Sequence, residues 1–117
     1  MERVAVMELI GTERESTEAI DGVHLAMLAS GEAMNVQRFA VEPGASVPAH
    51  SHPHEQAGYL VAGTLTFLLD GEERELGPGD SYVLAGGESH GVENRGEDIV
   101  RGIDVFSPPR ENSDWAK

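Results

Sequence analysis

Residues 44–63 read GASVPAHSHPHEQAGYLVAG and place His50, His52 and His54 at alternate positions. The prolines among them favour an extended backbone. Because side chains alternate faces along an extended segment, His50 and His52 project from the same side. Two imidazoles on one face suit zinc or a first-row transition metal when a polar group a few residues on and another histidine elsewhere in the chain complete the set. The stretch therefore predicts half of a metal site.

Residues 79–94, GDSYVLAGGESHGVEN, would complete the site through His90. The two stretches resemble the paired motifs of the cupin superfamily. The first carries the motif residues Gly44, His50, His52, Gln56 and Gly63, and the second carries Gly79, Ala85, Gly87, His90 and Asn94. The resemblance implies an all-β fold, a single-domain cupin whose antiparallel strands form a jelly-roll barrel with one metal in the lumen.

Two motif positions depart from the commonest cupin pattern. Ala85 stands where proline is usual, which matters little because Gly86 and Gly87 still permit a tight turn. Gln56 stands where glutamate is usual. The resemblance implies that one divalent transition metal ion is bound, with nickel, zinc, manganese and iron left open, and that its ligands are His50, His52, Gln56 and His90.

The absence of a carboxylate from this ligand set changes the expected chemistry. Three neutral imidazoles and an amide oxygen leave the charge of a divalent ion uncompensated, so the ion is a stronger Lewis acid and its oxidised state is less stabilised. The set therefore favours non-redox reactions, such as isomerisation, ring opening, cyclisation or hydration, over reductive activation of oxygen.

The composition fits one β domain. A chain of 117 residues is long enough for one core and short for two. It contains 14 glycines and 6 prolines, and most short apolar runs end at glycine, proline or aspartate, as turns require. We expect an N-terminal extension over residues 1–20, the barrel over residues 21–110 and a tail over residues 111–117. In the extension, the apolar run from Val4 to Ile10 is a candidate edge strand and Gly11 to Glu18 is predicted to be loop.

The formal net charge of −13, with 21 acidic residues against 8 basic ones, argues against a nucleic acid or anionic membrane partner. It leaves open whether the acidic surface only keeps the protein in solution or reflects a salty habitat. The chain has no cysteine, which excludes disulfides and thiolate ligands. No apolar run could span a bilayer and the N-terminus lacks a signal pattern, so we expect a cytoplasmic protein.

Apolar alternation between turn residues predicts a series of short strands, and no segment has helical periodicity. The predicted strands are Val23 to Ala29, Met34 to Val41, Tyr59 to Ala62, Thr64 to Asp70, Glu72 to Leu76, Ser81 to Leu84, His90 to Glu93 and Ile99 to Phe106. The pair Asp70-Gly71 predicts a hairpin turn, and residues 77–80, GPGD, predict a type II turn.

Two of these strands carry polar groups on a face that should belong to the core. Asn35 and Gln37 share a face with Phe39, which indicates a functional lumen in which Gln37 would contact a substrate. Asp104 likewise shares a face with Phe106. A buried carboxylate is costly unless it has a partner, and beside a metal it becomes a natural proton-transfer group.

The remaining histidines have no motif role. His54 has the parity of the proposed ligands, but Pro53 interrupts the strand, so His54 is expected to lie beside the ligands or to face solvent. His24 is expected to have a structural role. Glu55 should point to the opposite face from its neighbour Gln56.

Residues 104–110, DVFSPPR, end at Arg110, whose planar guanidinium suits a substrate carboxylate. Together with residues 50–56, HSHPHEQ, they resemble the KdgF family of pectin and alginate breakdown, whose members open unsaturated uronate monomers into linear keto acids. The resemblance covers roughly residues 21–110. It implies roles in activity for Asp104, Phe106 and Arg110, of which Phe106 and Arg110 would contact the substrate.

The leading prediction is a metal-dependent, isomerase-type enzyme that acts on a small oxygenated acid, most concretely by uronate linearisation. A polyketide cyclase or dioxygenase is one alternative, since polyketide cyclases with three histidines and one glutamine share the HSHPHEQ-type motif, and an aromatic rather than charged lumen would favour it. A non-catalytic sugar- or metal-sensing module is another, and it would not need Asp104. The resemblance and the apolar run from Val4 to Ile10 together predict a homodimer.

Overall fold

The computed structural model describes residues 14–110, most of which lie in ten β-strands. In chain order these are β1 (Thr17–Ile20), β2 (Val23–Ser30), β3 (Asn35–Val41), β4 (Ser46–His50), β5 (Glu55–Ala62), β6 (Leu65–Leu69), β7 (Glu72–Leu76), β8 (Ser81–Leu84), β9 (His90–Glu93) and β10 (Val100–Ser107). Residues 14–110 contain no helix, so the predicted all-β class is confirmed. Among these residues no helix is long and apolar enough to span a membrane.

The strands form two antiparallel sheets. The six-stranded sheet has the order β1-β2-β3-β10-β5-β8, and the four-stranded sheet has the order β4-β9-β6-β7. Strands that are distant in sequence become neighbours in both sheets, as β3 and β10 do over seven residue pairs. The two histidine stretches meet because β4 and β9 are adjacent.

The inward face of the six-stranded sheet changes from apolar to polar along its strands. At one end Val41 of β3 is paired with Val100 of β10, and both are buried. Further along the same two strands, Gln37 is paired with Asp104, and both are again buried. Burial of each large apolar side chain contributes roughly 1.5–3 kcal/mol, so the apolar end stabilises the barrel. The polar end lines a lumen.

Glycines form the two turns that the sequence predicted. Gly71 has φ of +78° and joins β6 to β7, where Leu69 is paired with Glu72. Gly79 has φ of +91°, and the amide of Asp80 donates to the carbonyl of Gly77 over 3.1 Å. Both glycines adopt a left-handed conformation that other residues rarely take.

Two predicted boundaries were wrong by two residues or more, whereas the other predicted strand boundaries agree with the structure to within one residue. The loop predicted to run to Glu18 ends earlier, because Thr17 and Glu18 belong to β1 and pair with β2. Strand β5 begins at Glu55 rather than Tyr59, because it is paired on one side with β10 and on the other with β8. The candidate edge strand from Val4 to Ile10 and the predicted C-terminal tail lie outside the described residues.

Candidate metal centre and active site

The structure brings the three motif histidines together at the polar end of the lumen. His50 ends β4, His90 begins β9 directly opposite it, and His52 follows in the loop after β4. One ring nitrogen from each histidine lies within 4.8 Å of the other two. The ring centroids are 4.6 Å apart for His50 and His90, 5.0 Å for His52 and His90, and 5.7 Å for His50 and His52.

The three histidines share one hydrogen-bonding pattern. The Nδ1 atoms of His50, His52 and His90 lie 3.0–3.1 Å from the backbone carbonyl oxygens of Pro48, His54 and Glu88, respectively. A carbonyl oxygen only accepts, so each Nδ1 carries the proton and donates it. Each Nε2 therefore keeps an unprotonated lone pair, the form in which imidazole binds a metal.

Gln56 adds an oxygen to this cluster. Its Oε1 lies 3.1 Å from Nε2 of His52, and its side-chain amide donates a hydrogen bond to Asp104. With the proton of His52 on Nδ1, the facing Nε2 and Oε1 atoms are both acceptors. Two acceptors at this separation suit a cation between them. The donor set of three imidazole nitrogens and one amide oxygen therefore fits a divalent transition metal.

The electrostatics of the site keep the imidazoles of His52 and His90 neutral. Burial is the main cause that lowers the pKa of His52 to about 4, and the positive charge of Arg110 lowers it further. Burial also lowers the pKa of His90 below its ordinary value. Metal ligation requires the neutral form, so both rings are in the required state at neutral pH.

The second motif positions the loop that carries His52. The amide of Gly87 donates to the carbonyl of His52 over 2.7 Å. A side chain at residue 86 would place its Cβ 2.3 Å from the carbonyl oxygen of Pro53, so Gly86 permits this close approach. Gly87 has φ of +83°. The tight turn expected without a proline at residue 85 is confirmed.

Asp104 is the buried carboxylate of the site. It accepts hydrogen bonds from the phenol of Tyr82, over 2.5 Å to Oδ1, and from the amide of Gln56. Burial raises the pKa of Asp104 to about 6, although both hydrogen bonds and the charge of Arg110 act in the opposite direction. Its carboxyl group therefore lies next to a proposed metal ligand and can exchange a proton near neutral pH.

Phe106 and Arg110 lie together at the edge of this cluster. The guanidinium carbon of Arg110 is 5.4 Å from the centroid of the Phe106 ring, a cation–π contact. The backbone amide of Arg110 donates to Oδ1 of Asn35 over 2.7 Å, which fixes the chain after β10. The Phe106 ring is buried and packs edge-on against His52 at 5.7 Å. Phe106 thus supports both a histidine and the arginine.

A cavity of about 110 Å³ lies between the two sheets. Its polar lining includes His50, Gln56, His90, Gln37, Asp104 and Arg110, and its apolar lining includes Phe39 and Phe67. The structure therefore places Gln37 in the lumen, as the alternation along β3 predicted. This volume is below the roughly 300–1,000 Å³ of typical ligand pockets, so the enclosed space suits only a small ligand.

The other predicted side-chain positions follow the strand alternation. Glu55 is exposed and Gln56 is buried, so the two point to opposite faces of β5 as predicted. His54 is partly buried, with its ring 5.5 Å from that of His52. His24 pairs with Glu42 over 2.5 Å on the surface, in keeping with a structural role.

Tyr82 is a residue of the site that the sequence predicted only as part of a strand. The contact between Tyr82 and Asp104 spans the strand between them, so it depends on sheet order and register. Neither can be read from a local pattern.

We predict that Gln56→Glu destabilises the metal-free protein. The variant would place a carboxylate against the buried Asp104 and remove the donated hydrogen bond, at a cost of about 1–3 kcal/mol in the free energy of unfolding. Adding Asp104→Asn to Gln56→Glu restores one donor and one carboxylate, so the double variant should recover part of that loss. Urea unfolding after chelator treatment measures both. A Gln56→Glu variant as stable as the wild type would contradict the contact.

Comparisons with known proteins agree with this geometry. A family model described as the cupin domain matches residues 37–106. The pectin degradation protein KdgF of Dickeya dadantii (strain 3937) is 41% identical over 68 residues, which are 57% of this chain and 61% of that protein. The L-ectoine synthase of Mycobacteroides abscessus is 33% identical over 107 residues, which are 87% of this chain and 79% of that protein.

Among solved structures, KdgF from Halomonas sp. superposes with a TM-score of 0.84 at 28% identity, over 92% of this chain and 98% of that one. The chain spans only 61% of the length of the curated Dickeya protein. The family match contains both histidine stretches completely and extends to Phe106. The chain therefore belongs to the cupin family, within which it is similar to the KdgF proteins, as its two histidine stretches and its C-terminal residues predicted.

Proposed function

We propose that this cupin is a metal-dependent, isomerase-type enzyme that opens unsaturated uronate monomers into linear keto acids. The observation that carries the proposal is the buried Asp104 carboxylate, hydrogen-bonded to Gln56 beside the three-histidine cluster. A sensor or carrier would have no need of an ionisable group buried at this cost. The similarity to two KdgF proteins supports the substrate class.

His50, His52, Gln56 and His90 are the proposed ligands of one divalent ion. When bound, the ion would supply a Lewis acid that polarises an oxygen of the substrate. Opening the cyclic hemiacetal moves a proton from its hydroxyl group to the ring oxygen while the bond from the hemiacetal carbon to the ring oxygen breaks. In an unsaturated uronate this leaves an aldehyde and an enol, and a second proton transfer, from the enol oxygen to the other carbon of the C=C bond, gives the linear keto acid. The reaction involves no net oxidation and no co-reactant, which matches a site without a carboxylate ligand.

Asp104 is the proposed proton-transfer group, since its pKa of about 6 lets it accept and return a proton. Arg110 is proposed to bind the carboxylate of the uronate, with its guanidinium held against Phe106. Phe106 is proposed to position Arg110 and His52. Gln37 is proposed to donate a hydrogen bond to a substrate hydroxyl group or to accept one from it.

The assay that tests the function uses unsaturated galacturonate and guluronate monomers. Loss of the cyclic form is followed by NMR with the metal-loaded protein, against the uncatalysed background. We expect acceleration with at least one sugar. No acceleration with either would refute the assignment.

The same samples separate the alternatives. The L-ectoine synthase match covers more of this chain than the match to the Dickeya KdgF sequence does, so L-ectoine formation is assayed in parallel. Activity there would favour a cyclase, whereas metal binding without any turnover would favour a sensing module. The lumen is lined by the charged residues Asp104 and Arg110 and also by the aromatic residues Phe39, Phe67, Tyr82 and Phe106. The choice of a uronate over an aromatic polyketide therefore rests on the similarity to the KdgF proteins.

We predict that Arg110→Lys chiefly raises KM. Lysine keeps the positive charge but not the planar, two-pronged donor that matches a carboxylate, so ground-state binding of the uronate weakens while the proton transfer persists. Steady-state kinetics should show KM about tenfold higher with kcat little changed. Arg101→Lys, on an exposed position of β10, is the matched control and should leave both constants unchanged. An unchanged KM for Arg110→Lys would exclude the anchoring role.

A homodimer is part of the proposal. The outward face of the six-stranded sheet exposes Tyr59, Val61, Val83 and Ile103, and Tyr59 is paired with Ile103 across β5 and β10. An exposed apolar patch is typical of an interface. Light scattering should give twice the chain mass, and a Val61→Glu and Ile103→Glu double variant should be monomeric. A wild-type monomer at high concentration, unchanged by deletion of residues 1–12, would contradict the dimer.

A further inference from the structure

Tyr82 reaches the site from two strands away. It is paired with Gly58 across β8 and β5, and Gly58 is paired with Asp104 across β5 and β10. The three residues thus form a row across the sheet. The Tyr82 phenol spans the middle strand and donates to Oδ1 of Asp104 over 2.5 Å.

The row depends on glycine at its centre. A Cβ at residue 58 would lie 2.1 Å from Cζ of Tyr82 and 2.2 Å from its hydroxyl oxygen. Such a separation is far below van der Waals contact, so any side chain at residue 58 would displace the tyrosine ring. Gly58 therefore provides the path by which the phenol reaches Asp104.

The rest of the tyrosine is held independently of its hydroxyl group. Its ring packs against Phe67 with centroids 4.7 Å apart. Burial and the adjacent Asp104 raise the pKa of Tyr82, so the phenol stays protonated and acts as a donor. The hydroxyl can therefore be removed while the packing of the ring remains.

The hydrogen bond from Tyr82 determines how the Asp104 carboxylate is oriented toward Gln56. With Oδ1 occupied by Tyr82, the carboxylate also accepts from the Gln56 amide group, and Oε1 of Gln56 then faces His52. If Asp104 turned away, the amide could rotate and present its N–H to Nε2 of His52, which is also an acceptor. The histidine cluster would then face a donor instead of an oxygen ligand.

We propose that Tyr82, acting across Gly58, is a positioning residue that fixes Asp104 and thereby holds the Gln56 amide with its oxygen toward the histidines. The inference rests on the metal site of the proposed function but not on its substrate. Residues outside the ligand set that orient metal ligands typically change affinity or activity by about 10–100-fold.

The test is Tyr82→Phe, which removes only the hydroxyl group. Tyr59→Phe makes the same change at an exposed position of β5 and is the matched control. Zn²⁺ affinity, measured by competition with a chromophoric chelator, should fall about tenfold in Tyr82→Phe and stay unchanged in Tyr59→Phe. NMR of the metal-free protein gives a second readout, the side-chain amide signals of Gln56, which are identified by their loss in Gln56→Glu.

These signals should shift in Tyr82→Phe and not in the control. The Gln56 amide signals report on the orientation of that side chain in the folded protein. A variant that only unfolded at a lower temperature would therefore leave these signals unchanged. Unchanged Zn²⁺ affinity with unchanged Gln56 signals would overturn the proposal. Neither readout uses a uronate, so a failed sugar assay would leave this result standing.

Gly58→Ala provides a second variant, because it should displace the Tyr82 ring and reproduce both effects. Gly31→Ala is its control, since a Cβ there meets nothing closer than 3.6 Å. A folded Gly58→Ala protein with wild-type Zn²⁺ affinity and wild-type Gln56 signals would also overturn the proposal.

Discussion

His50→Ala and His90→Ala are each expected to abolish stoichiometric metal binding, whereas the wild type should carry one divalent ion per chain. Each substitution removes one of the three proposed nitrogen ligands, which lie within 4.8 Å of one another. The remaining donors cannot compensate, because the only oxygen in the proposed set is a neutral amide. Elemental analysis of the purified proteins measures the occupancy, and activity on the uronate should fall with it.

His24→Ala is the matched control for these variants. His24 pairs with Glu42 on the surface and, together with Glu18, forms a second group that could hold a metal ion, outside the lumen. Its removal should leave the metal content unchanged. Full occupancy in both His50→Ala and His90→Ala would show that the site has been wrongly assigned.

The histidine cluster could be predicted from sequence because its determinants are local. His50 and His52 lie two residues apart in an extended segment, and their shared side follows from strand geometry alone. Strand alternation also placed Gln37 and Asp104 on inward faces, and both are buried. Glycine and proline at the turns marked most of the strand boundaries.

The contacts that organise the site could not be predicted in this way. The approach of Gln56 to Asp104 and the reach of Tyr82 across Gly58 depend on which strands are neighbours and in what register. The sequence around Gly58 indicates only a weak strand, since glycine there has no side chain to pack. Its role appears only once the order β10-β5-β8 is known.

The structure also changes the interpretation of Gln56. From sequence, glutamine in place of glutamate predicted a stronger Lewis acid. In the structure the amide faces a buried carboxylate, to which it donates a hydrogen bond. A glutamate at residue 56 would place a second carboxylate, of like charge, beside Asp104. The neutral glutamine therefore allows the acidic Asp104 to lie next to the proposed metal ligands. The glutamine at the proposed ligand position and the proposed proton-transfer role of Asp104 are thus linked.

Asp104→Asn is expected to lower kcat by about 100-fold or more while leaving metal content unchanged. Asparagine keeps the shape of the side chain and can still interact with Tyr82 and Gln56, but it cannot take up and return a proton. Because Asp104 is not among the proposed ligands, elemental analysis should give the wild-type occupancy. The combination of full occupancy and low kcat separates a proton-transfer role from a structural one.

The control for this variant is Asp70→Asn, which removes the same charge at an exposed hairpin turn where asparagine is well tolerated. It should leave kcat and KM unchanged. Loss of metal from Asp104→Asn would mean that asparagine does not preserve the contact that holds Gln56 in place, and the fall in kcat would then follow from the lost ion rather than from the lost proton transfer. A kcat within about threefold of the wild type at full occupancy would exclude Asp104 as the proton-transfer group and leave the ring opening to be catalysed by another residue of the lumen.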